Sequence, residues 1–144
     1  MKLKIKKTHP DAPIPERANH NDSGLDLYAM ALVKECNLYI EFDTGIAMEI
    51  PPGHTGLLLP RSSISNYDHS LANTTGIIDP GYRDSIKVRL RKSNLSGECL
   101  YYKIGDKIAQ IIIIQSITAE IVEVNDLAES ERGIGAFGST DNKY

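Results

Sequence analysis

Apolar and polar residues alternate along much of this chain in short runs. The run Ile86–Arg91 (IKVRLR) alternates strictly and Gly45–Ile50 (GIAMEI) does nearly the same, which is typical of strands buried on one face. Lys107–Ile117 (KIAQIIIIQSI) is rich in β-branched residues and predicts a strand buried on both faces. The apolar pattern therefore predicts several short strands rather than long helices.

Two segments fit either a helix or a strand. Leu25, Tyr28 and Leu32 are spaced as on one face of a helix, and so are the apolar residues between Ile117 and Leu127. The second segment also contains the β-branched run AEIVEV, which fits a strand. Periodicity leaves both interpretations open.

Turn-forming residues interrupt these runs throughout the chain. Seven prolines and eleven glycines leave little room for long helices, and many short strands favour an all-β barrel or sandwich. The length of 144 residues suggests one domain. From about Glu129 onward the sequence becomes polar and rich in glycine, so we expect a β-barrel domain over residues 1–128 and a flexible C-terminal arm over residues 129–144.

Charge and cysteine content narrow the classes of partner. The formal net charge of −3 argues against a broad basic surface for nucleic acid. No secretory signal opens the chain, so Cys36 and Cys99 are expected to be buried, reduced thiols. The longest apolar run is too short to span a bilayer. We therefore expect a cytoplasmic protein, or one of the host cytoplasm if its source is a virus, that binds neither nucleic acid nor membrane.

A glycine-rich segment, Arg132–Thr140 (RGIGAFGST), is the first candidate for chemistry. Its glycines permit positive φ, so that successive N–H groups can converge on an anion. The Arg132 guanidinium suits phosphate oxygens, and the Phe137 ring can stack on a base. The segment matches neither a Walker A loop nor a Rossmann fingerprint, and a disordered tail is the alternative interpretation.

Two more segments combine polar residues with turn signals. In Pro60–Ser65 (PRSSIS), Ser62 could cap a short helix that faces an anion, although a plain helix cap is the commoner case. In Asn73–Asp84 (NTTGIIDPGYRD), Pro80 and Gly81 predict the centre of a tight turn, with Gly81 at positive φ. Asp79 is then either an ordinary turn residue or a fixed carboxylate at the mouth of a hairpin.

Two strand segments each contain one unexpected polar residue. Asp26 interrupts the apolar alternation of SGLDLYA, and it is either a surface residue or a holder of hydrated Mg²⁺. Gln110 lies within the otherwise apolar GDKIAQI, where its amide needs hydrogen-bond partners. A structural network would satisfy that need without any ligand.

Taken in order, these five segments resemble the five motifs of the trimeric dUTP pyrophosphatases, from about residue 23 to 140. The resemblance implies an all-β, jelly-roll-like β-clip barrel with one short helix after Pro60, assembled as a homotrimer with C-terminal arms. Each site would take the first, second and fourth motifs from one chain, the third from a neighbour and the fifth from the remaining chain. The reaction would convert dUTP and water to dUMP and pyrophosphate, with Mg²⁺ as cofactor, keeping uracil out of DNA and supplying dUMP for thymidylate synthesis.

The resemblance also implies a role for each matched residue. Asp79 would be the general base that activates water for in-line attack on the α-phosphorus, and Asp26 would orient waters of a Mg²⁺ held mainly by the triphosphate. Tyr82 would lie under the deoxyribose and leave no space for a 2′-hydroxyl. The phosphates would be bound by Arg61, Ser62, Ser63, Gln110, Arg132, Gly138, Ser139 and Thr140, and the deoxyuridine by Asn73, Gly76, Ile78, Tyr82 and Phe137.

The chain departs from the family pattern at a few positions. Ala136 and Asp141 replace usual glycines of the fifth motif, and Gly81 and Asp84 are unusual in the third. Two alternatives remain: a dCTP deaminase relative, which would need a glutamate at the base-binding end that this chain lacks near Asn73, and a nucleotide-gated binding protein.

Overall fold

The computed structural model describes residues 1–93, 100–130 and 133–134. They form ten β-strands and one short 3-10 helix. In chain order the elements are β1 (Lys4–Lys7), β2 (Leu25–Tyr28), β3 (Ala31–Glu35), β4 (Tyr39–Asp43), β5 (Ile46–Glu49), β6 (His54–Leu59), the 3-10 helix η1 (Ser62–Asn66), β7 (His69–Leu71), β8 (Gly76–Ile78), β9 (Lys87–Lys92) and β10 (Lys107–Gln115). The expected all-β chain with one short helix after Pro60 is confirmed.

The strands form two four-stranded sheets and one two-stranded ribbon. One sheet has the order β2-β10-β6-β8, the other has the order β3-β4-β9-β7, and β1 pairs with β5. Every ladder is antiparallel. Residues of both sheets and of the ribbon join one buried apolar cluster. The core therefore lies between the sheets, and the sheet with β10 in its interior carries four of the predicted site residues, Asp26, Gly76, Ile78 and Gln110.

Burial follows the apolar pattern in most strands. On β9, Val88 and Leu90 are fully buried while Arg89 and Arg91 are exposed, as strict alternation predicts. On β10, burial on both faces holds only for the first half, because Ile114 is already exposed. On β5, Ile46, Ala47 and Met48 are all buried and Glu49 is exposed, so burial is not restricted to alternate residues.

Both ambiguous segments lack α-helix. The first, around Leu25 to Leu32, forms β2 and the start of β3. The second, residues 116–130, has neither helix nor strand and leaves large apolar side chains in solvent. Cys36 is a free thiol that is half buried, not buried as expected, and Cys99 lies outside the described residues. Within the described part of the chain, no helix is long and apolar enough to cross a membrane.

The chain between β7 and β8 does not form a hairpin. β7 pairs with β9 and β8 pairs with β6, so the two strands belong to different sheets and the residues between them form a crossing turn. Thr74 in this turn has a φ of 61°, a left-handed conformation that is uncommon for a non-glycine residue. The crossing carries the backbone from one face of the core to the other just before Gly76.

A glycine between β4 and β5 fixes the long segment that precedes β2. Gly45 has a φ of 66°, and its carbonyl accepts hydrogen bonds from the N–H groups of Thr8 and His9. A Cβ at this position would lie 2.7 Å from the His9 Cβ and 2.9 Å from the Ala12 Cβ. The site therefore excludes a side chain by both conformation and space.

Replacing Gly45 by alanine is expected to lower the free energy of unfolding by about 3 kcal/mol, through left-handed strain and overpacking together. The matched control is Gly53→Ala, whose φ is 74° but whose added Cβ would meet nothing within 4 Å. It should cost only about 1 kcal/mol. Denaturant unfolding at one protein concentration measures both. Equal losses would show that the segment over Gly45 is not packed as described.

Candidate active site

Strand register places the side chains of two sequence segments side by side on one sheet, and a third segment begins next to them. Gln110 on β10 lies opposite Asp26 on β2 and opposite Leu59 on β6. Directly opposed residues project from the same face of a sheet, so Asp26 and Gln110 are neighbours on that face. The chain leaves β6 at Leu59, which puts Pro60 and Arg61 beside them. Ladder pairing thus brings the first and fourth segments together, and the end of β6 places the second segment beside them.

Asp26 is the centre of this group. The residue is 7% exposed, and both of its carboxylate oxygens have a cationic partner. The Arg61 Nε–H donates to Oδ1 at 2.9 Å, and the Lys107 Nζ lies 2.8 Å from Oδ2. The interpretation of Asp26 as a surface residue is therefore wrong. Two cations around one carboxylate leave a net positive charge in the group, which suits an anionic ligand.

Lys107 reaches Asp26 because β10 is irregular at its start. Lys107 and Gln110 are three residues apart, so in a regular strand they would project from opposite faces. The register shifts between Lys107 and Ala109, as in a β-bulge, and this re-aims the lysine. The hydrogen bond to the Asp26 carboxylate raises the Lys107 pKa above its usual value. Sequence reasoning missed Lys107, because strand alternation gave no sign of the bulge.

The Gln110 amide has the partner that its position requires. Its Nε2–H donates to the Pro60 carbonyl at 2.9 Å, which confirms the expected need for a hydrogen-bond partner. A Cβ at Gly24 would lie 2.1 Å from the Gln110 Oε1, so only glycine fits beside the amide in this position. The glutamine therefore ties β10 to the chain that enters η1, and Gly24 leaves the space for it.

The phosphate-binding candidates of the second segment lie at the start of η1. The Arg61 Nη1 lies 3.4 Å from the Ser63 Oγ, a long hydrogen bond that leaves the rest of the guanidinium fork free to bind. Ser62 is the first residue of η1 and not its N-cap; Arg61 holds that position and makes no side-chain cap bond. The expectation that Ser62 caps the helix is wrong.

A cavity of about 340 Å³ lies against this group. Its walls include Asp26, Arg61, Ser62 and Gln110, together with residues of the loop before β2. The cavity is thus lined by Arg61, Ser62 and Gln110, which the family resemblance assigns to phosphates, and by Asp26, which it assigns to Mg²⁺. Within the described chain, no three His, Cys, Asp or Glu side chains cluster as they would to hold a metal without a ligand.

The third segment forms a separate part of the structure. The Tyr82 N–H donates to the Asp79 carbonyl at 3.0 Å, which closes the expected turn over Pro80 and Gly81. Gly81 does not have the positive φ that was expected, so the turn does not need a glycine there. Asp79 is exposed, and the Tyr82 hydroxyl donates to the Ser85 carbonyl at 2.9 Å.

Asn73, the other polar candidate of the third segment, borders a different cavity of about 600 Å³. Gly76 is buried beside it, and a Cβ added there would lie 3.1 Å from both the Asn73 amide nitrogen and the Leu58 Cβ. Across the described residues, no hydrogen bond or ion pair joins Asp79, Tyr82 or Asn73 to the Asp26 group. Of the four segments that fall within the described residues, the first, second and fourth therefore meet and the third lies apart.

The remaining candidates, Arg132, Phe137, Gly138, Ser139 and Thr140, lie outside the described residues. Their roles stay predictions.

A family model described as dUTPase matches residues 10–141. The chain belongs to the dUTPase family. Its relatives include the deoxyuridine 5′-triphosphate nucleotidohydrolase of Nautilia profundicola, 40% identical over 144 residues that cover 97% of this chain and 99% of the relative. The nucleotidohydrolase of a Hydrogenobaculum species is 37% identical over 146 residues, covering 99% of this chain and 100% of the relative. The prediction of an enzyme of the dUTPase family, a hydrolase, is confirmed.

Solved dUTPase structures share the fold. A point mutant of the Staphylococcus bacteriophage 80alpha dUTPase with bound dUpNHpp has a TM-score of 0.78 and 25% identity, covering 96% of this chain and 98% of the phage chain. Another mutant of that dUTPase has a TM-score of 0.82 and 27% identity with the same coverage. A mutant dUTPase of phage phi11, described as coordinating a structural Mg(II) ion, has a TM-score of 0.73 and 26% identity, covering 88% and 98%. The jelly-roll-like fold expected from the sequence is confirmed.

Replacing Asp26 by asparagine is expected to lower the free energy of unfolding by about 2 kcal/mol, because Arg61 and Lys107 lose their shared counter-charge in a partly buried site. The matched control is Lys4→Met, which breaks the exposed Lys4–Glu49 ion pair and should change stability by no more than about 0.5 kcal/mol. Denaturant unfolding at fixed protein concentration compares the two variants. A loss at Asp26 no larger than at Lys4 would contradict the central place of this carboxylate.

Proposed function

We propose that this protein hydrolyses dUTP to dUMP and pyrophosphate. The observation that carries the proposal is the ladder-built group of Asp26, Arg61 and Gln110 against a cavity of about 340 Å³. Family membership and the related phage structure with a bound dUTP analogue support the same substrate. Release of pyrophosphate from dUTP would keep uracil out of DNA and supply dUMP for thymidylate synthesis.

The phosphate end of the substrate would bind along the start of η1. Arg61 keeps guanidinium N–H groups that neither Asp26 nor Ser63 uses, and such a fork suits two phosphate oxygens. The hydroxyls of Ser62 and Ser63 and the second amide N–H of Gln110 would add neutral donors. Because Asp26 already fixes the Arg61 guanidinium through Nε, the arginine would bind without first losing rotamer freedom.

The deoxyuridine end and the attacking water would belong to the third segment. Asp79 would take the proton of a water aligned with the α-phosphorus, as a positioned carboxylate can do. The crossing turn that carries Asn73 and continues through Gly76 to Ile78 would pair with the uracil edge. A site that pairs one base edge discriminates strongly, because a wrong base leaves buried polar groups unpaired. Tyr82 would exclude a 2′-hydroxyl.

The donor set fits a Mg²⁺ ion held mainly by the triphosphate. Asp26 has two cationic partners, so it does not attract a divalent cation by itself. An ionised carboxylate offers roughly four lone-pair sites, however, and two partners leave room for metal-bound waters. Mg²⁺ commonly keeps several waters and is held by one or two carboxylates together with substrate phosphates. The ion would neutralise phosphate charge, and Asp26 would orient its water shell.

The separation of the third segment from the Asp26 group supports a site shared between chains of a homotrimer. A second feature points the same way: residues 116–130 expose Ile117 by 93%, Ile121 by 90% and Leu127 by 87%. Several large apolar side chains exposed along one segment are typical of an interaction surface. We infer that a neighbouring copy covers this segment. The arm over residues 129–144 would then bring Arg132 and Phe137 to a site of another chain and close over the nucleotide.

A second candidate function has one specific observation in its favour. The phage 80alpha dUTPase is described as controlling transfer of virulence genes by a G protein-like mechanism. Its structure with dUPNHPP is similar to this chain, with a TM-score of 0.78 and 26% identity, covering 96% of this chain and 97% of the phage chain. A nucleotide-gated partner surface would use the same dUTP site. It would add a partner to the hydrolase, not replace it.

The purified protein with Mg²⁺ is expected to release pyrophosphate from dUTP at least about a hundredfold faster, in kcat/KM, than from UTP, dTTP or dCTP. The physical reason is steric exclusion of the 2′-hydroxyl by Tyr82 and pairing of the uracil edge near Asn73. A coupled pyrophosphate assay across the nucleotides measures the ratios. Equal turnover of UTP would contradict the role of Tyr82, and absence of turnover with dUTP would overturn the proposed function.

A further inference from the structure

The short helix η1 has few of the contacts that usually hold a helix in place. It contains five residues, none of them buried, and its N-cap makes no side-chain hydrogen bond. Within the helix the Ser65 hydroxyl donates to the Ser62 carbonyl at 3.1 Å, which is a local bond. Yet η1 begins with the residues that would contact the phosphates. Something beyond the helix must therefore fix its position.

Two aromatic rings lie at the exit of η1. Tyr67, the C-cap residue, stacks on Tyr102 with the ring centroids 3.8 Å apart and the planes within 4° of parallel. Tyr102 is 5% exposed and belongs to the apolar core, so its ring is a fixed surface. The same Tyr67 donates its backbone N–H to the Ile64 carbonyl at 3.0 Å and closes the last turn of η1. The stack thus connects the end of η1 directly to the core.

Backbone hydrogen bonds join the same two segments. The Leu100 N–H donates to the Asn66 carbonyl and the Asp68 N–H donates to the Leu100 carbonyl, both at 3.2 Å. They form a parallel bridge between Tyr67 and Leu100. Such a bridge sets the position of the chain along its length, whereas the stacked rings resist its displacement away from the core.

The segment that holds η1 also leads into β10. A turn follows Tyr102, in which the Asp106 N–H donates to the Lys103 carbonyl at 3.1 Å and the Lys103 N–H donates to the Asp106 carboxylate at 2.7 Å. Lys107 and Gln110 come next along the chain. Residues 100–110 therefore contact η1 at one end and provide the partners of Asp26 and Pro60 at the other.

We propose that the Tyr67–Tyr102 stack is a positioning element that holds Arg61, Ser62 and Ser63 at the phosphates of the nucleotide. Neither tyrosine touches the substrate; both act through η1. The near face-to-face overlap makes buried area, more than ring quadrupoles, the source of the attraction. Loss of the stack would leave the end of η1 joined to the core only by Ile64 and the backbone bridge. The bonds of Pro60 and Arg61 would still hold the start of η1, and the phosphate-binding groups would be less well ordered.

The test uses inorganic pyrophosphate as the probe, measured by calorimetry on the full chain, together with the kinetics of dUTP hydrolysis. In Tyr67→Ala the Kd for pyrophosphate is expected to rise roughly five- to tenfold. The KM for dUTP should rise by a similar factor while kcat changes less than about twofold, since Asp79 and its turn are untouched. Tyr67→Phe retains the ring and should restore both values.

Tyr101→Ala is the matched control, because Tyr101 is an adjacent exposed tyrosine that packs against His69 and not against Tyr67. It should leave the Kd for pyrophosphate unchanged. If Tyr67→Ala does not fold, Tyr67→Leu keeps most of the apolar volume without a flat ring and carries the same expectation. An unchanged Kd in the folded variant, an equal loss in Tyr101→Ala, or failure of Tyr67→Phe to rescue binding would each overturn the proposal.

The inference rests on the proposed function in assigning η1 to phosphates, but its failure can be recognised separately. Pyrophosphate binding needs no turnover. Wild-type protein that binds pyrophosphate and does not hydrolyse dUTP would refute the proposed reaction and still allow the stack to be tested. Wild-type protein that hydrolyses dUTP, with equal pyrophosphate binding in all variants, would refute only the positioning role.

Discussion

The register of the β2-β10-β6 ladders is the constraint on which the rest of the site depends. Asp26, Gln110 and Leu59 lie directly opposite one another in those ladders, and η1 starts two residues after Pro60. A slip of one residue would turn every side chain of a strand to the other face of the sheet. The buried apolar residues of β10 prevent such a slip, because Ile108 and Ile111 would lose their places in the core. Core packing thus fixes the distances between the polar groups.

The same arrangement gives the site a net positive charge before any ligand binds. One buried carboxylate between two cations is costly to desolvate, and it is tolerated because both oxygens are paired. The excess of one positive charge favours a polyanionic ligand and does not favour a free metal ion. Each partner also performs a second task. Arg61 presents its remaining donors to the cavity, and Lys107 ties the start of β10 to β2.

Sequence patterns predicted the parts of the fold that depend on local order. Alternation identified β9 with its correct faces, and the turn over Pro80 and Gly81 followed from turn chemistry. The amide of Gln110, a polar residue in an apolar strand, was expected to need a hydrogen-bond partner, and the Pro60 carbonyl accepts from it. The order of the five segments pointed to the dUTPase family, which the family model confirms.

Sequence patterns did not predict the features that depend on tertiary contacts. The β-bulge that aims Lys107 at Asp26 has no local signature, since neither Gly nor Pro marks it. The separation of β7 and β8 into different sheets depends on pairing with β9 and β6, which are distant in the chain. The stack of Tyr67 on Tyr102 joins residues 35 positions apart, and neither tyrosine stands out in the sequence.

The most direct test of the account is recovery of activity in mixed oligomers, since the central claim is that one chain supplies the Asp26 group and another supplies Asp79. Asp79→Asn and Arg61→Ala should each be inactive on dUTP. After joint refolding in equal amounts, about a quarter of the sites would combine an intact Arg61 with an intact Asp79 from a neighbour. Pyrophosphate release should therefore recover to about a quarter of the wild-type rate. A mixture that stays inactive, while native mass spectrometry shows both chains in one trimer, would contradict the shared site.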